Sequence, residues 1–212
     1  MNNLQDIVAK KLVQLKSFSV QTISPFTWAN GWRAPMYLDD RKILSYTYAR
    51  SFIKLELARL VAEKYPDADV IAGIATTAIA HGVLVAEQLS LPFIYVHPEP
   101  KDHGLENQIE GDLRPRQKVV IIENQVSEGK NAMRVIEAIR NNGCSVLGVV
   151  TIFDYEFASA KDSFEKAGIE FTALTNYSHV ATLVRNEKML SEEVMSELRS
   201  WHENPTKWQK KK

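Results

Sequence analysis

The stretch from Val119 to Asn131 holds the densest chemistry in the chain. Four apolar residues, Val119-Val120-Ile121-Ile122, lead into Glu123-Asn124-Gln125-Val126-Ser127-Glu128-Gly129-Lys130-Asn131, a short polar loop opening a helix. A strand that delivers such a loop to a helix N-terminus makes an anion cradle. Unpaired backbone N–H groups face the ligand, and the helix dipole favours negative charge. On spacing alone, a buried strand ending in a solvated turn fits the same letters. A second candidate is Gly73-Ile74-Ala75-Thr76-Thr77-Ala78, a strand-to-helix turn with two hydroxyls, either of which also suits an N-cap. The third is the long segment between Val96 and Val119. It carries His97, Lys101 and His103 with little apolar content, and reads as a lid.

Several familiar chemistries fail on these residues. Gly129-Lys130 suggests a P-loop, but that motif needs Gly at the position of Asn124 and Ser or Thr at Asn131. No G-x-G-x-x-G follows a strand, and no G-x-S-x-G elbow occurs. His97-Pro98-Glu99 matches the H-x-E of zinc deaminases, whose second motif needs more than the single Cys144. His97 and His103 lack neighbours to complete a metal site.

The elements that must position these residues alternate. Val70–Ile74, Phe93–Val96, Val119–Ile122, Val146–Ile152 and Phe171–Leu174 read as strands. Helices lie between them, at about 79–88, 131–142 and 159–167, the last two stopped by Gly143 and Gly168. Continuous β-branched runs indicate strands covered on both faces. The expected fold is therefore α/β, a doubly wound, mostly parallel sheet of about five strands. Ligands of such sheets bind beyond the strands' carboxyl ends, where the strand order reverses. Residues 1–65 add an amphipathic first helix, a turn-rich stretch from Ser24 to Arg41 and a long helix. Residues 66–175 hold the sheet, and residues 176–212 read as helical with a solvated basic tail. The whole reads as a single domain.

Composition narrows the classes further. There are 26 Lys+Arg against 26 Asp+Glu, so no global field attracts nucleic acid or an acidic membrane. A single cysteine excludes a disulfide framework and a Cys-rich zinc site, and fits a reducing cytosol. No export signal or membrane span is visible, which points to a cytoplasmic protein.

Taken together, these motifs resemble the type I phosphoribosyltransferases. Val119 to Asn131 is similar to that family's motif for 5-phosphoribosyl 1-diphosphate (PRPP). Lys101-Asp102-His103-Gly104 resembles the catalytic loop of the orotate branch. Ser24-Pro25-Phe26-Thr27-Trp28-Ala29-Asn30-Gly31-Trp32-Arg33-Ala34-Pro35 resembles its substrate-side loop, and Gly73 to Ala78 its pyrophosphate loop. The resemblance implies transfer of ribose 5-phosphate from PRPP to orotate, giving orotidine 5′-monophosphate and pyrophosphate in UMP synthesis. It implies magnesium carried on PRPP without direct protein ligands, acting as template and Lewis acid. It further implies a homodimer in which Lys101 and His103 reach the diphosphate in the neighbouring subunit. His97 would join them on PRPP, and Ala75, Thr76 and Thr77 would hold pyrophosphate. Glu123 would hold the ribose hydroxyls, with Asn124 beside it as a further catalytic residue, and Asn124, Gln125 and Val126 would also contact PRPP. Ser127 through Asn131 would wrap the 5′-phosphate, with Ser127 also touching orotate.

Departures from the family pattern touch chemistry. Asn124 stands where the second acid of the motif is normally Asp, and losing that charge would cost on the order of 10² to 10³ in rate. Glu128 puts a carboxylate in the phosphate cradle. It would escape by pointing outward in the helix's first turn, by pairing with Lys130, or by occupying the phosphate site itself. His97 replaces an Arg with a side chain that is largely neutral above pH ~6.5. These changes raise an alternative, a weakened or inactive paralogue that keeps the fold as a nucleotide- or protein-binding homodimer.

Overall fold

A computed structural model describes residues 3–99 and 108–208 of the chain. Lys101 and His103, most of the expected lid, and the basic tail at 210–212 lie outside the described residues.

Helix α1 (Leu4–Gln14) buries Val8, Ala9 and Leu12. Strand β1 (Phe18–Val20) follows, and the turn-rich stretch from Ser24 to Arg41 contains three more short strands, β2 (Phe26–Thr27), β3 (Arg33–Ala34) and β4 (Met36–Leu38). They pair antiparallel as β1 with β4 and β2 with β3. Strands of two or three residues carry too little periodicity to be read among Pro, Gly and Asn. A 3₁₀ turn (Asp40–Ser45) then leads into α2 (Thr47–Lys64).

The main sheet contains β5 (Val70–Ile74), β6 (Phe93–Val96), β7 (Ile109–Glu110), β8 (Lys118–Val126), β9 (Ser145–Asp154) and β10 (Glu170–Asn176). Helices α3 (Ile79–Leu89), α4 (Lys130–Asn141) and α5 (Ala158–Ala167) connect them, and α6 (Tyr177–Asn186) and α7 (Glu192–Glu203) follow. Strand order is β10-β9-β8-β5-β6-β7, with β7 antiparallel at the edge and the rest parallel. The sheet thus has six strands rather than about five. The extra one is a two-residue piece of the expected lid, set against Tyr95 and Val96.

Alternate residues of β8 enter different cores. Val120 and Ile122 pack with α1, α2 and α7, while Val119 and Ile121 pack with α4 and α5. Both faces are therefore covered, as the unbroken apolar runs require. The chain goes from β5 to β6 on one side, then returns to place β8 on the other side of β5. That reversal opens a crevice beyond the carboxyl ends of β5 and β8.

Candidate active site

The crevice is a cleft of about 510 Å³ walled by Thr77, the whole of Glu123 to Asn131, and residues from the N-terminal strands. Strand β8 runs further than its apolar core. Glu123, Gln125 and Val126, expected in a loop, pair with Thr151, Phe153 and Asp154 of β9. Sheet pairing therefore fixes the acidic end of the motif, and the turn into α4 is confined to Ser127 to Gly129.

Gly129 caps α4 with φ +76° and has no side chain to offer the N–H groups of the first turn. A Cβ at Gly129 would lie 3.2 Å from the Phe164 ring, so both backbone and space call for glycine. The uncapped N–H groups face the cleft end where an anion is favoured.

Glu128 does not point outward. It precedes the helix cap, and its side chain is only 13% exposed. Its Oε2 accepts a hydrogen bond from Asn30 Nδ2 at 2.8 Å, and its Oε1 pairs with Lys130 Nζ at 2.7 Å. The Lys130 pairing matches one of the expected escapes. The bridge to Asn30, across 98 residues of sequence, was invisible from spacing.

Burial dominates the electrostatics at the β8 end. Glu123 is 6% exposed, and desolvation, reinforced by the charge of Asp40, pushes its carboxyl up to about 8. Asn124 accepts from the Thr77 hydroxyl at 2.9 Å and donates through Nδ2 to Asp40 Oδ1 at 2.9 Å. Gln125 donates to the Leu38 carbonyl at 3.4 Å and accepts from the Tyr155 hydroxyl at 3.1 Å.

Of the remaining expected residues, Ala75 and Thr76 occupy the turn after β5, off the cleft wall. Their shared peptide is cis. His97 lies at the β6–β7 edge, its backbone N–H bonded to the Gln108 carbonyl and its ring edge-on to Tyr95 at 5.7 Å, again off the wall.

The wall also includes Trp28 and Asn30 of the expected substrate-side loop, and Tyr37, Arg134 and Tyr155, which sequence reasoning did not single out. Trp28 donates to the Met36 carbonyl at 3.2 Å and meets Tyr155 and Trp201 edge-on at 4.8 and 5.5 Å. This aromatic block anchors the substrate-side loop, and its members come from distant parts of the chain. Only the tryptophans within the loop motif hinted at it.

Among the described residues, no three His, Cys, Asp or Glu side chains cluster as a metal cage. Burial keeps the Glu123 carboxyl largely protonated at neutral pH, which fits magnesium that takes its ligands from substrate phosphates and water rather than from the protein.

A mostly parallel sheet with an uncapped helix start at its switch point, beside short N-terminal strands, is the arrangement that the resemblance to type I phosphoribosyltransferases implies. No protein-family model matches the chain. Orotate phosphoribosyltransferase from Porphyromonas gingivalis is 48% identical over 98% of this chain and 99% of its own length. That from Phocaeicola vulgatus is 46% identical over 99% of each. The solved orotate phosphoribosyltransferase of Aeropyrum pernix shares the fold at a TM-score of 0.74 and 23% identity, covering 87% of this chain and 99% of that one. The chain belongs to the orotate phosphoribosyltransferase family, and nothing in these similarities favours the inactive alternative. Among the described residues, no helix is long and apolar enough to cross a membrane.

Proposed function

We propose that this chain transfers the ribose 5-phosphate of PRPP to orotate through the cleft between β5 and β8. One observation carries the assignment of roles. Thr77, Glu123 and the uncapped start of α4 converge on a single cleft from motifs far apart in sequence. The N–H groups at Gly129 to Asn131 would receive the 5′-phosphate, with Lys130 and Arg134 adding charge at the rim. Glu123 would give up its proton to solvent as PRPP binds, accept from the ribose hydroxyls as a carboxylate, and with that charge stabilise the cationic ribose of the transition state. Thr77 and the turn at Ala75-Thr76 would hold the departing diphosphate. Trp28, Tyr37 and Tyr155 offer flat aromatic walls for the orotate ring near Ser127.

Magnesium, bound through PRPP, would supply Lewis-acid stabilisation of the leaving diphosphate. The protein would work as a cytoplasmic homodimer of single-domain subunits. Lys101 and His103 would reach into the neighbouring site, Lys101 neutralising the diphosphate and His103 donating to it. No nucleic acid or membrane takes part.

Calorimetric titration with PRPP and magnesium, followed by orotate in the same cell, tests this reading. Saturable PRPP binding and heat of turnover on adding orotate are expected. Absence of PRPP binding would overturn it.

A further inference from the structure

The motif's missing acid has a structural counterpart. Asn124 occupies the position normally held by Asp, yet the carboxylate of Asp40 lies directly behind it, 2.9 Å from its amide nitrogen. Asp40 sits in the 3₁₀ turn after β4, 84 residues away in sequence. It is 1% exposed, and its Oδ2 has no hydrogen-bond partner among the described residues. Burying a carboxylate with one oxygen unsatisfied is costly, and the fold gains nothing obvious from it.

We propose that Asp40 is a positioning residue that supplies, through Asn124, the negative charge the PRPP motif has lost at position 124. This rests on the phosphoribosyl-transfer reading above. A carboxylate only accepts hydrogen bonds, so Asp40 turns the Asn124 amide group toward itself. The Asn124 carbonyl oxygen is thereby aimed at Thr77, on the cleft side. The pair presents an oxygen at the original position with a full charge one residue deeper. The charge has moved within the site rather than disappeared.

The groups facing Asp40 are few. Asp39 and Arg41 flank it on its own turn, Glu123 faces it from β8, and the Tyr155 hydroxyl lies nearby after β9. Arg41 is largely occupied by Asp39, at 2.7 Å. Desolvation raises the Asp40 carboxyl to about 6, which still leaves it ionised at neutral pH.

A charge swap tests the proposal. Asp40→Asn should lower kcat by on the order of 10² with a smaller effect on the KM for PRPP. It should also remove an acid limb near pH 6 from the kcat profile. Asn124→Asp alone should bring no gain, because two carboxyls at this distance share a proton and leave the charge near neutrality unchanged. The double variant Asp40→Asn/Asn124→Asp should recover at least about tenfold over Asp40→Asn.

Two results would overturn the proposal: Asp40→Asn within about threefold of the parent, or a double variant no better than Asp40→Asn. Thermal unfolding of each variant identifies loss of folding. If Asp40→Asn does not fold, the double variant, which keeps both the charge and the hydrogen bond, must fold and turn over. A parent without turnover contradicts the phosphoribosyl-transfer reading instead. The swap is then read in PRPP affinity, weakened by Asp40→Asn and restored in the double variant.

Discussion

Glu128 lines the cradle that would hold the 5′-phosphate, so replacing it with Gln should tighten PRPP binding. At roughly 4 Å and an effective dielectric near 20, one carboxylate charge and one phosphate charge repel by about 4 kcal/mol. The ion pair with Lys130 offsets much of this. Lys130 is 67% exposed, however, so solvent weakens its compensation. A net penalty of about 1–2 kcal/mol remains, which corresponds to roughly tenfold in affinity. Gln retains an oxygen to accept from Asn30, so the substrate-side loop keeps its anchor. The assay is the PRPP dissociation constant of parent and Glu128→Gln by calorimetry, at low and high salt. The gap should be about tenfold at low salt and shrink as salt screens the repulsion. Unchanged or weaker PRPP binding by the variant at low salt would refute the reasoning.

Other expectations follow from the same geometry. Gly129→Ala should lower thermal stability and PRPP affinity together, since its φ of +76° costs an L-residue about 1–2 kcal/mol before the Phe164 contact is counted. A melting curve and a titration check both. The Glu123 carboxyl is raised from 4.5 to about 8 by burial, so the folded state holds its proton more tightly than the unfolded chain. Stability of the ligand-free protein is therefore greatest below pH 4.5 as far as this group is concerned, and falls as pH rises toward 8. Glu123→Gln should flatten that slope in denaturant unfolding across the window. Mixing inactive Lys101→Ala and Glu123→Gln chains should restore about a quarter of the parental sites if the loop acts across a two-fold dimer, and none if it acts within its own subunit. A rate assay after subunit exchange distinguishes the two.

The core of the fold was legible because β-branched runs and glycine stops are local signals. Every strand of the parallel sheet and the helices between them lie where periodicity placed them, and Gly143 and Gly168 take the left-handed conformation beyond α4 and α5. The short N-terminal strands were not legible, since pairs such as Phe26↔Ala34 are set by tertiary contact rather than by pattern. The PRPP motif stood out for the same local reason, as a strand, a glycine and a helix start in succession. Its departures could be seen but not weighed. Whether Asn124 is a loss depends on Asp40, and where Glu128 points depends on Asn30, both long-range contacts. Gln125, the next polar residue of the motif, bonds to Leu38 and Tyr155 rather than standing in for the missing acid.

The most direct test of the account is a product assay with PRPP, magnesium and orotate, following orotidine 5′-monophosphate and pyrophosphate together. The account predicts that both form in equal amounts, that each substrate is required, and that adenine does not replace orotate. PRPP bound in the cleft with no product above the uncatalysed rate would contradict it.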